Sequence, residues 1–126
     1  MTPGYVTHAG TFNGHLAAAV AGTMTLRHLD AAAISRLNDA AAALADRILA
    51  GADAAGIPAE VTRAGSIMNV HMSDSGQLAD LHLALLLHGV YTTPRGMINL
   101  STALSPHDLD DIAAAYGTAF TMLRAS

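Results

Sequence analysis

The chain has 126 residues, enough for one domain burying roughly 68% of the surface its unfolded form exposes. It is 52% hydrophobic, much of that alanine, only 13% charged, and carries a net charge of −4. This excludes disorder, and the absence of a basic cluster excludes a nucleic-acid interface. With so few charges to solvate the surface, an apolar interface with another chain is expected. No apolar run approaches the roughly 18–20 residues of a membrane span, and no signal peptide is evident. Cysteine is absent, so disulfides are impossible and the expected compartment is the cytoplasm.

The first dozen residues read as an extended arm: Pro3 and Gly4 break regular structure, and Tyr5, Val6 and Thr7 favour an extended backbone. A first helix is predicted from His15 to Leu29, with Gly22 inside it marking a close packing contact. Asp30 caps a second helix that carries Ile34, Leu37, Ala41, Leu44 and Ile48 on one stripe and stops near Gly56 and Pro58. The period then changes. Ala59 to Arg63 and Ser66 to Met72 read as strands around a break at Ala64-Gly65. A third helix spans Gly76 to His88, with Leu78, Leu81, Leu85 and Leu86 apolar and Gly89 as its stop.

Val90 to Thr93 reads as a short strand, Pro94-Arg95-Gly96 as a turn, and Met97 to Ser101 as another strand. The last helix begins with Ser105 as N-cap, Pro106 at the first position and Asp108 in the first turn. Its buried face is predicted to hold Leu109, Ile112, Ala113, Tyr116, Phe120 and Leu123. The order predicts an α+β fold: long N-terminal helices, then a small antiparallel sheet with helices packed on one face. The stripes Ile34, Leu44, Leu81, Leu85, Ile112 and Phe120 are read as core and need no cofactor to explain them.

The chemistry concentrates in Gly10-Thr11-Phe12-Asn13-Gly14, where a hydroxyl lies between two glycines directly before a long helix. Glycines let backbone N–H groups turn toward a ligand, and a helix N-terminus adds unpaired donors and partial positive charge. That makes an anion cradle, although on residue types alone a plain turn is the commoner outcome. Arg95 could hold a carboxylate bidentately from its turn, against the commoner reading of a surface arginine. The histidines give no metal spacing: His8 and His15, and His82 and His88, do not match a compact i, i+4 pair. Ser66 and Ser101 lack a nucleophile-elbow context. No metal site and no catalytic residue is expected.

The string His8-Ala9-Gly10-Thr11-Phe12-Asn13-Gly14, with the Ala/Gly-rich helix after it, resembles the class III aminotransferases. These are fold-type-I pyridoxal-phosphate enzymes that include glutamate-1-semialdehyde aminomutase. The resemblance continues in Arg63-Ala64-Gly65-Ser66-Ile67-Met68, His88-Gly89-Val90-Tyr91, Pro94-Arg95-Gly96-Met97-Ile98, and Leu100 to Asp110. It covers nearly the whole chain but only the family's C-terminal third. It implies residues 1–14 as an arm with the cofactor-phosphate turn and residues 15–126 as the small domain with its leading helix. It also implies that Gly10 and Thr11 bind the cofactor phosphate of a neighbouring subunit. Where the family continues with Asn-Pro, this chain has His15-Leu16.

All six basic side chains are arginines and lysine is absent, so this chain cannot supply the family's Schiff-base lysine. Catalysis by this chain alone is not expected. The sequence reads instead as part of a class III aminotransferase or aminomutase sharing pyridoxal phosphate with a partner. That partner is a lysine-bearing large-domain chain, or a second copy within a homo-oligomer. The alternatives are a non-catalytic, self-associating module and a stand-alone small-anion binder using Thr11.

Overall fold

The computed structural model describes residues 9–125. The extended arm around Pro3, Gly4, Tyr5, Val6 and Thr7, and His8, therefore lie outside the described residues. The chain divides into two compact units between Ala33 and Ile34. The first holds helix α1 (Leu16–His28) and the start of α2 (Ala31–Ala55). The second holds the rest of α2, then β1 (Ala59–Ala64), β2 (Ile67–Met72), α3 (Ser75–Leu87), β3 (Met97–Asn99) and α4 (Pro106–Arg124). This is the predicted α+β class, with four helices and a three-stranded antiparallel sheet.

The sheet runs β1-β2-β3 in space. A two-residue turn joins β1 to β2, with Gly65 at φ +63° in its first position, where a primed hairpin turn requires a positive angle. The register pairs Val61 with Val70 and Arg63 with Met68; on the other side Met68 pairs with Ile98. One sheet face, through Met68, Val70 and Ile98, joins a core with Leu44 and Ile48 of α2, Leu81 and Leu85 of α3, and Tyr116 and Phe120 of α4. The opposite face carries Thr62, Ile67, His71 and Met97 to solvent. Where α2 crosses α4, a Cβ on Gly51 would stand 3.3 Å from the Gly117 Cα, so small residues set that approach.

The helix ends follow their local chemistry. The Asp30 carboxylate accepts from the Ala33 N–H at 2.7 Å. Asp74, not singled out in the sequence, caps α3 by accepting from the Gly76 N–H at 2.7 Å. Ser105 and Asp108 form a reciprocal capping box on α4, with Pro106 in the first turn. Helices α2 and α3 both end in Schellman motifs: Ile57 N–H reaches Ala52 O, and Val90 N–H reaches Leu85 O, each around a positive-φ glycine.

Four expectations need correction. Val90 to Thr93 forms no strand, because Val90 is tied back to α3 by that Schellman bond and Thr92 is buried beside His82. Its partner strand is accordingly shortened from Met97–Ser101 to Met97–Asn99. Ile34 is exposed rather than core, as the α2 stripe becomes buried only from Ala41 onward. Gly22 has no atom within 4 Å of where its Cβ would lie, so it makes no close packing contact within the described chain. Ile112, Leu109 and Leu123 are half-buried at the margin of the core.

Candidate functional site

Thr11 to Gly14 form a tight turn immediately before α1. The Asn13 N–H donates to Gly10 O, the His15 N–H donates to Phe12 O, both at 3.1 Å, and Gly14 takes a positive φ of 77°. A Cβ on Gly10 would stand 2.9 Å from the Asn13 side-chain oxygen, so the two lie close in this turn. His15 then caps the helix, its Nδ1 accepting from the Ala18 N–H at 3.4 Å. The Phe12 ring meets the His15 ring edge-on at 5.9 Å. Histidine thus fills the N-cap role that Ser, Thr, Asp or Asn usually takes, and Leu16 occupies the first helical position.

The electrostatics of this end favour an anion. The first turn of α1 has no acidic residue, and its earliest N–H groups lack intrahelical acceptors. Thr11 is exposed, and its hydroxyl has no hydrogen-bond partner among the described residues. A hydroxyl donor, glycine backbone and a helix N-terminus without carboxylates suit a phosphate dianion. Helix α1 itself buries no residue; Leu16, Val20, Met24 and Leu26 all face outward.

Arg95 belongs to the second unit. It lies in the turn from Thr93 to Gly96, closed by the Gly96 N–H to Thr93 O at 2.9 Å and by the Met97 N–H to the Thr93 hydroxyl at 3.0 Å. Gly96 has φ +82°, and a Cβ there would run into the Val70 carbonyl oxygen, so the turn is fixed against β2. The Arg95 side chain is exposed and has no ion-pair partner among the described residues.

The histidines are dispersed. His71 meets the Thr62 hydroxyl at 2.7 Å, His82 lies 3.4 Å from the Thr92 hydroxyl, and His107 lies 3.4 Å from Asp111. A hydrogen bond from the imidazole to the residue's own backbone and then the Asp111 carboxylate raise the His107 pKa. Hydrogen bonds from the Ser105 backbone and hydroxyl lower that of Asp108. Among the described residues, no three His, Asp or Glu side chains gather as a metal site.

A groove of about 600 Å³ opens in the second unit, which sequence reasoning missed. Residues 88–93 form one wall, residues 97–101 the other, and Asp108, Asp111, Ile112 and Tyr116 its α4 side. Tyr116 is buried, which raises its pKa, and its hydroxyl has no hydrogen-bond partner among the described residues. No sequence signal marked this opening, because Val90–Thr93 has the composition of a strand.

No family model matches the chain. Individual proteins do. Glutamate-1-semialdehyde 2,1-aminomutase 1 of Cenarchaeum symbiosum is 32% identical over 96% of this chain, which spans 33% of that protein. The β-phenylalanine aminotransferase structure from Variovorax paradoxus superposes with a TM-score of 0.73 at 30% identity, over 94% of this chain and 31% of that one. A structure described as a transaminase with PLP bound gives a TM-score of 0.88 at 20% identity, over 99% of this chain and 32% of that one. The chain thus spans about a third of the length of the proteins it matches. The order of elements and these relatives agree: over nearly its whole length the chain is similar to the C-terminal part of class III pyridoxal-phosphate-dependent aminotransferases, among them glutamate-1-semialdehyde aminomutases.

Proposed function

We propose that this chain acts as the small domain of a class III aminotransferase or aminomutase and completes a cofactor pocket whose lysine stands on another polypeptide. In this reading residues 1–14 are the arm bearing the phosphate turn, and residues 15–126 are the small domain with its leading helix. The observation that carries it is the Thr11 hydroxyl, unpartnered among the described residues, in a glycine turn that runs into an N-terminus without carboxylates.

The residues fit the group. Thr11 would donate to a phosphate oxygen, and Gly10 would let the backbone come close without a side chain between them. Pyridoxal phosphate, when bound, supplies the electron sink for amino-group transfer or exchange. This chain contributes position and charge complementarity; with no lysine among its 126 residues it contributes no amine side chain to hold the aldehyde. Arg95, exposed in a rigid turn without an ion-pair partner, is proposed as a contact for the carboxylate of a small amino-acid substrate.

The test is reconstitution. Mixing the chain with a lysine-bearing class III large domain and pyridoxal phosphate should produce the visible absorbance of the lysine-bound cofactor. Thr11→Ala should weaken cofactor retention about tenfold, the loss of one charge-assisted hydrogen bond. If no band appears with any cognate large domain, the split-enzyme reading fails.

A second reading is favoured by α1, whose large apolar side chains are all exposed: a non-catalytic module that associates with copies of itself. Sedimentation separates the two. Concentration-dependent dimers that ignore both cofactor and large domain support the second reading; a monomer at all concentrations excludes it.

A further inference from the structure

The groove between the two arms of the expected hairpin has an open strand edge on one side. In the antiparallel ladder, Val70 N–H bonds to Gly96 O and Leu100 N–H to Ser66 O, and Met68 pairs with Ile98 between them. Ladder bonds alternate along a strand, so the N–H and C=O of Asn99 point away from β2. Asn99 lines the groove, and its outward backbone groups have no partner among the described residues.

The hairpin is closed only at its turn. Thr93 N–H donates to Met97 O at 3.3 Å, and continuing that register would set Tyr91 opposite Asn99. No bond joins them. The backbone N–H groups of Tyr91 and Thr92 on the facing wall are likewise without partners among the described residues. An edge of this kind is a template for another strand.

The lining also selects for charge. It carries two carboxylates, Asp108 and Asp111, and no lysine or arginine. Its single basic side chain is His88. Between these lie apolar surfaces of Val90, Ile98, Leu100 and Leu104. Tyr116 is buried and lines the groove from its α4 side.

We propose that this groove is the docking site for an extended, basic segment of a larger partner polypeptide, added as a fourth strand on the outer edge of β3. Asn99 supplies the main-chain donor and acceptor, the apolar walls take alternate side chains, and Asp108 and Asp111 receive a lysine or arginine. That a larger chain is the source rests on the split-enzyme reading, since this chain spans only a third of its relatives.

The test uses the 126-residue chain and an acetylated, amidated peptide, Thr-Val-Lys-Val-Arg-Val-Thr. Amide exchange followed by NMR should show the Asn99 N–H slowed at least about tenfold at saturating peptide. Asn99→Pro removes only an outward-facing N–H, which an edge strand tolerates, and should weaken binding about fivefold with the thermal midpoint little changed. Asp111→Lys should weaken it further, with the loss shrinking at high salt. Unchanged Asn99 exchange at millimolar peptide, or full binding by Asn99→Pro, overturns the proposal. Protection that rises with protein concentration without peptide assigns the edge to a second copy and overturns the partner assignment.

Repeating the exchange with the lysine-bearing large domain separates the two readings. Asn99 protected in that complex supports both. Cofactor absorbance with Asn99 unprotected overturns the groove proposal and leaves the split enzyme standing. Peptide protection without any large-domain association overturns the split enzyme and, with it, the proposed source of the strand.

Discussion

Helices α1 and α4 are built from much the same residues, alanine with a scatter of glycine, threonine, methionine and leucine, yet they behave oppositely. α4 buries Ala113, Ala115, Tyr116, Ala119 and Phe120, whereas α1 buries nothing. The difference lies in where charge is placed. In α4, Asp108, Asp110 and Asp111 mark the outer face, and the Asp110 carboxylate reaches Arg47 of α2 at 2.7 Å. In α1 the basic residues lie only in the last turn, Arg27 and His28, so no long face is reserved for water. Apolar content alone does not put a helix in its own chain's core; segregation of polar residues does. A helix apolar all round is suited to a second surface.

The widest separation between the two helices should come from truncating one side chain on each. Phe120→Ala empties a fully buried site in α4 and should cost about 3–5 kcal/mol of unfolding free energy. Val20→Ala, on the exposed α1, should change it by less than about 0.5 kcal/mol in the isolated chain. Urea denaturation of the two variants decides the matter, and a similar loss from both would end the contrast.

Glycines sharpen it next. Gly51→Val would drive a branched side chain onto the Gly117 backbone and should destabilise by about 1–3 kcal/mol. Gly22→Ala meets nothing within 4 Å and should raise helix stability by about 0.5–1 kcal/mol. If Gly22 serves an intermolecular contact, that same variant should weaken assembly while stabilising the isolated chain.

The α4 cap supplies the last test. Ser105→Ala should cost about 1 kcal/mol, the usual value of an N-cap. Ser105 lowers the Asp108 pKa, so the linked stability is fully present above the ordinary aspartate range, near pH 4. It is lost as pH falls through the lower folded value. Thermal midpoints of both proteins between about pH 7 and pH 2 should therefore converge on acidification; a gap that widens would contradict the cap's role.

Much of this architecture was legible one residue at a time. Asp30, Ser105 with Pro106 and Asp108, and the stops at Gly56 and Gly89 are signals contained within a single turn of chain, and each reappears as a hydrogen bond. The β1–β2 hairpin was equally local, because Gly65 fixes its turn and alternation fixes its faces. The exposed Ile34, by contrast, sits on the same stripe as Leu44, and no local rule says where along a 25-residue helix its neighbours begin. Val90–Thr93 has strand composition, but α3 claims its first N–H and its buried threonine before β3 can.

For the candidate sites the same division holds. The Gly10–Thr11 turn was visible because its glycines and hydroxyl are adjacent in sequence. The His15 cap was not anticipated, since histidine is a rare choice there.

By itself the sequence determined the helix caps, the tight turns, the antiparallel hairpin and the lack of a lysine, all of which depend on residue identity within a few positions. Only the tertiary structure decided which apolar faces became core and which hairpin arms parted to leave a groove. Those outcomes are competitions between distant surfaces for burial and for backbone partners, and a local pattern does not name the competitor.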